Sequence, residues 1–149
     1  MEDIIKKLKN LSHDELVQLQ AGVERAIFEK KNDEVYKQVK VGSVYVERYG
    51  KQGYQIFKIV ATDNGGYCII DRFIIDSDSE ECDLNCDIEI TYDSGYAIFQ
   101  SYLVRDIVNG RYEPVDSSLY TKVDTLYSNY KHDLYKLDKE YFNKFILII

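Results

Sequence analysis

Val41-Gly42-Ser43-Val44-Tyr45-Val46-Glu47-Arg48-Tyr49 and Tyr54-Gln55-Ile56-Phe57-Lys58-Ile59-Val60-Ala61-Thr62, joined by Gly50-Lys51-Gln52-Gly53, decide the fold class. Both runs are dense in β-branched and aromatic residues, which suit a pleated, half-buried surface. Four residues including two glycines make a hairpin-sized connection. Further along, Asp63-Asn64-Gly65-Gly66 is a second turn signal and Tyr67–Ile75 reads as a third strand. Beyond a polar interval from Asp76 to Asp87, Ile88–Tyr92 and Tyr96–Leu103 flank Asp93-Ser94-Gly95, which predicts another hairpin. Asn109-Gly110 then turns the chain into Arg111–Val115. Five or six short antiparallel strands with tight turns predict a small curled sheet, or a partly open barrel of SH3-like form.

On either side of this β core (40–116) the spacing turns helical. In 1–39, Ile4, Ile5 and Leu8 begin an apolar face that Ser12 interrupts as an N-cap. Ser12-His13-Asp14-Glu15 has capping-box form, and Leu11 and Leu16 occupy hydrophobic-staple positions. Leu16, Leu19, Val23, Ala26 and Ile27 recur on one face, with fraying or bending expected after Phe28 where polarity rises. In 117–149, Leu119, Val123, Leu126, Tyr130, Leu134, Leu137 and Tyr141 keep one stripe aligned. Asp138 offers an alternative break and cap for a short final helix. The close, Phe145-Ile146-Leu147-Ile148-Ile149, needs cover from the chain's own core or from another subunit. The expected architecture is a single α+β domain: helix, antiparallel sheet, helix.

A chain of 149 residues can bury a sizeable core without metal or disulfide help. Its 14 tyrosines against no tryptophan suit half-buried strands and recognition surfaces. No stretch is apolar enough for a membrane span, and the acidic start Met1-Glu2-Asp3 lacks signal-peptide order. Cys68, Cys82 and Cys86 make an odd count, so a reducing cytoplasmic home is expected.

Charge is segregated along the chain. Between Ala61 and Asp116 there are thirteen acidic residues, three arginines and no lysine, a net charge of −10 in a protein of net charge −7. Such a field is a handle for a partner. The polar interval resembles a calcium loop only superficially: Glu81 stands where an EF-hand needs glycine, and Asp87 where it takes glutamate. Cys82 and Cys86 are three residues apart with no second ligand pair, which is not zinc spacing. His13 and His132 are the only histidines, and neither a nucleophile elbow nor a phosphate-cradling glycine loop occurs. No catalytic residue, metal site or cofactor is therefore expected. Nucleic-acid binding is disfavoured by a pI near 4.9.

The expected partner surface comprises Asp71, Asp76, Asp78, Glu80, Glu81, Asp83 and Asp87 with Tyr67, Tyr92 and Tyr96. Leu16, Leu19, Val23, Phe145 and Ile148 are the expected contacts of a homo-oligomer. Capture of a signalling nucleotide is a further alternative, supported by the aromatics and by Arg72, Arg105 and Arg111. The capped N-terminal helix, Val41-Gly42-Ser43-Val44-Tyr45-Val46 opening a tyrosine-rich hairpin set, and Leu137-Asp138-Lys139-Glu140-Tyr141-Phe142 complete the pattern. It resembles the small accessory proteins of AT-rich bacteriophages and prophages. That resemblance implies a phage-encoded interaction protein that binds a bacterial host protein or complex and blocks a host defence. It assigns no functional residue.

Overall fold

The computed structural model describes residues 2–50, 53–77, 88–130 and 144–145. In chain order the elements are α1 (Glu2–Lys9), α2 (His13–Gln38), β1 (Val44–Arg48), β2 (Gly53–Thr62), β3 (Tyr67–Ser77), β4 (Ile88–Phe99), α3 (Gln100–Val108), β5 (Glu113–Val115) and α4 (Ser117–Tyr130). The five strands form one antiparallel sheet in the order β4-β3-β2-β1-β5. Among the described residues the sheet is not closed, and β4 and β5 are its edges.

The capping box forms as the sequence requires. Ser12 donates its backbone N–H to Glu15 Oε1 at 3.1 Å, and Glu15 donates its own to Ser12 Oγ at 3.2 Å. These bonds to Ser12 hold the Glu15 carboxyl below its usual range. Where fraying or bending was expected after Phe28, α2 continues as one helix to Gln38. Its last turns gain support from the domain, where Val35 and Val39 join the core beside α3.

Both faces of the sheet are covered. On one face Val44, Val46, Tyr54, Ile56, Phe73 and Ile75 pack against Tyr120 and Val123 of α4 and against Phe145. On the other, Tyr45, Phe57, Ile59, Cys68 and Ile70 meet Leu103 and Val104 of α3, with Tyr112. Double coverage explains the continuous burial of Tyr54 through Phe57 where a one-sided strand would alternate. Phe145 is fully buried, and its carbonyl accepts the Tyr54 hydroxyl at 2.6 Å. The chain's own core therefore covers it; Ile148 and the remaining tail lie outside the described residues, as does the stripe from Leu134 to Tyr141.

Two sequence expectations are corrected here. Asp93-Ser94-Gly95 does not turn a hairpin; it is a bulge inside the single strand β4, whose register with β3 shifts between Ile70 and Arg72. Asp71 fills the gap, accepting the Gly95 N–H at 3.0 Å and the Ser94 hydroxyl at 3.1 Å, while Gly95 takes the positive φ of 76° that the bulge demands. Secondly, Tyr96–Leu103 is strand only to Phe99. From Gln100 the chain is helical, because Leu103 and Val104 must reach the sheet together from one helix face. The arrangement leaves five strands among the described residues, with Glu113–Val115 pairing back onto β1.

Candidate functional site

The α3 side of the sheet carries a cleft of about 300 Å³. Its floor is Phe57 and Ile70, with Gln55 of β2 beside them. One wall is β3 and β4, supplying Arg72, Tyr96 and Ile98. The opposite wall is α3 and the segment entering β5, supplying Tyr102, Arg105, Asp106, Arg111 and Tyr112. All three arginines of the lysine-free segment thus converge on one space.

Each arginine lies over a tyrosine ring. Arg72 sits 4.1 Å from the Tyr96 centroid, Arg105 4.9 Å from Tyr102 and Arg111 5.0 Å from Tyr112. Guanidinium stacking on an aromatic face fixes the plane of the charge and costs little solvation, because arginine is weakly hydrated. Carboxylates hold the guanidiniums from behind. Arg72 pairs with Asp93 at 3.0 Å, Arg105 with Asp106 at 3.3 Å, and Arg111 with Asp106 at 3.4 Å and with Glu47 more closely. Gln55 donates to the other oxygen of Glu47 at 3.1 Å.

Exposure sets the direction of this network. The Glu47 and Asp106 side chains are only 12% and 13% exposed, whereas those of Arg105 and Arg111 are 54% exposed. At Arg105 and Arg111 the acids are inside and the cations outside, whereas at Arg72 the order is reversed, the guanidinium side chain being 21% exposed and that of Asp93 42%. A guanidinium has five donors, more than the one or two engaged by each of these contacts. The hydrogen bond to Glu47 raises the Arg111 guanidinium still further above its ordinary value, so it stays charged. Burial pushes the Tyr112 phenol up, so its ring remains neutral. The cleft therefore offers oriented positive charge alternating with aromatic faces.

Of the expected partner residues, Asp71 is engaged in holding the β4 bulge, and the Tyr92 hydroxyl also reaches it at 3.5 Å. Tyr67 stacks on Phe99 at 4.2 Å, Tyr92 leans on Phe73 at 4.8 Å, and Tyr96 belongs to the cleft. Asp76 is exposed at the end of β3 opposite Glu89. Asp78, Glu80, Glu81, Asp83 and Asp87 lie outside the described residues, as do Cys82, Cys86 and His132. Leu16, Leu19 and Val23 are exposed on α2. Among the described residues no group of acids, histidines and cysteines is placed to hold a metal, and no helix is long and apolar enough to cross a membrane. Cys68 is buried, which pushes its thiol up and away from reactivity.

Sequence reasoning had named the three arginines but not their tyrosine partners Tyr102 and Tyr112. The available signal was the exclusive use of arginine in a segment without lysine. Compared with known protein families, curated proteins and solved structures, the chain matches none of them.

Proposed function

We propose that the protein is a non-enzymatic binding module whose arginine–tyrosine cleft captures a small anion carrying a planar ring, the chemistry of a nucleotide. The observation that carries this is the convergence of three tyrosine-stacked guanidiniums on one cleft of about 300 Å³. Guanidinium edges match phosphate oxygens in bidentate geometry, and tyrosine faces stack a base. The volume stands at the small end of ligand sites and suits one mononucleotide-sized molecule. The sheet, with α3 between β4 and β5 and β5 returning beside β1, is consistent with an SH3-like scaffold that presents the cleft between the sheet and α3. The test is thermal denaturation of the full chain against a panel of linear and cyclic nucleotides, with nucleosides and inorganic phosphate as controls. Ligand at a hundred times its Kd stabilises by about 2.7 kcal/mol, a rise of several degrees. No shift with any nucleotide at millimolar concentration would sink the proposal.

A second reading keeps the acidic surface as a partner site, in the manner of a phage accessory protein that binds a bacterial host protein in the cytoplasm. It is favoured by the register of β3 and β4, which sets the exposed carboxylates of Asp76 and Glu89 directly opposite each other. Like charges so placed repel, and a basic partner relieves them. The check is a pull-down from bacterial lysate with wild type and a variant neutralised at Asp76, Asp78, Glu80, Glu81, Asp83, Asp87 and Glu89. Selective loss of a partner from the variant is expected; equal recovery by both proteins rejects the acidic face.

A further inference from the structure

Gln55 is a polar side chain inside a buried run of β2. Tyr54, Gln55, Ile56 and Phe57 are all buried, and Gln55 is only 6% exposed. A primary amide in such a place is costly unless its polar ends find partners. Strand β1 supplies one of them: Glu47 stands directly opposite Gln55 and accepts its Nε2–H at 3.1 Å. Glu47 is also paired with Arg111, and a carboxylate in an ion pair can only accept. This fixes which way round the amide lies, because the reverse would set Gln55 Oε1 against the carboxylate. Among the described residues no donor reaches Gln55 Oε1, and Asn32 Oδ1 is the only side-chain atom that is both sealed and unpartnered. Gln55 Oε1 therefore opens on the cleft that Gln55 lines.

The cleft is graded from floor to rim. Gln55, Phe57 and Ile70 are buried, whereas the Arg105 and Arg111 side chains are half exposed. A planar ring thus belongs at the floor, over Phe57 and Ile70, and a phosphate at the guanidiniums above it. Resting on the nucleotide reading, we infer that Gln55 determines which base the cleft takes, its Oε1 accepting from an exocyclic amino group. Such a group projects beyond the ring and donates without bringing a carbonyl with it, as N6 of adenine and N4 of cytosine do. The ring N–H of uracil or hypoxanthine has carbonyl oxygen beside it. Presenting that edge to Gln55 would carry the oxygen toward Glu47, beside Gln55, and toward Asp106 on the cleft wall. The ligand class is therefore a nucleotide with an amino-bearing base.

Calorimetric titration of the full chain with two matched pairs tests this. AMP is set against purine ribonucleoside 5′-monophosphate, which lacks only the amino group, and CMP against UMP. In each pair that binds, the amino-bearing member is expected to bind about 10-fold tighter or more, since its absence leaves a buried acceptor unmatched. Gln55→Met keeps the bulk and removes the acceptor, and thermal melting reports whether the variant is folded. When it is folded, the difference within each pair should shrink to less than about 2-fold through weaker binding of AMP and CMP. Equal or reversed affinities in a pair that binds wild type overturn the role of Gln55 and leave the nucleotide reading standing. Full selectivity retained by folded Gln55→Met overturns it likewise. If none of the four binds, the nucleotide reading fails and this inference falls with it.

Discussion

Replacing Gly53 with alanine is expected to lower the melting temperature by about 10 °C, among the largest losses any one methyl group can cause in this fold. Gly53 opens β2 opposite Asp76, and its φ is +149°. A Cβ built there falls 1.9 Å from the Ile75 carbonyl oxygen and 2.8 Å from the Ile75 carbonyl carbon. Both are backbone atoms of the neighbouring strand, so no side-chain rotation relieves the overlap. The two strands must separate or slip where Tyr54 pairs with Ile75, and both of those side chains are fully buried. A residue held in a disfavoured conformation costs about 1–3 kcal/mol. Displacing a strand from a packed core adds a comparable amount. At about 2–4 °C per kcal/mol for a chain of this size, the sum is about 10 °C. Gly22→Ala is the matched control, since nothing lies within 4 Å of its added Cβ and it is helical. That substitution should raise helicity, alanine being favoured by about 1 kcal/mol in a helix interior. Equal melting of the Gly53→Ala variant and wild type would show that the close approach does not constrain the strands.

Local signals and tertiary demands agree over β1, β2 and β3, which is why those strands were legible. Gly50 and Gly53, then Gly65 and Gly66, bracket β-branched runs, and the pairing of β2 with β3 leaves plain register only between Ile59 and Ala61. Agreement ends at Asp93-Ser94-Gly95. A turn and a bulge make the same local request, a glycine at positive φ, and the choice between them is made by Asp71 on another strand. The adjoining Tyr96–Leu103 misleads for a related reason: Tyr, Leu and Val serve strand and helix alike when buried, and the core on the α3 side decides. That error also concealed the site. On a strand Tyr102 and Arg105 would face opposite sides, whereas on α3 Tyr102, Arg105 and Asp106 stand three and four positions apart and line one cleft. The arginines were visible as a count, and their convergence only becomes visible once the helix is placed.

Arg111 and Arg105 separate what the cleft does for the fold from what it does for a ligand. Arg111→Met is expected to lose both. Its guanidinium bonds Glu47 and, at 3.4 Å, Asp106. The removal strips a partner from two carboxylates whose side chains are 12% and 13% exposed. Glu47 keeps its hydrogen bonds from Gln55 and Tyr49, and Asp106 keeps its pair with Arg105. Leaving such groups under-partnered costs about 1–3 kcal/mol, or roughly 5 °C of melting temperature. Arg105→Met differs because Asp106 retains Arg111, and the flexible thioether still covers Tyr102. Its melting temperature should stay within about 2 °C of wild type. Nucleotide affinity should nevertheless fall about 10- to 100-fold, the worth of one charge-assisted hydrogen bond to phosphate. Calorimetric titration beside thermal melting distinguishes the cases. If Arg105→Met binds nucleotide as tightly as wild type, the network is a brace between α3, β1 and β5, and the cleft is not a ligand site. If Arg111→Met melts with wild type, the buried carboxylates draw their support from elsewhere and the inside-acid, outside-cation arrangement fails as the basis for orienting the arginines.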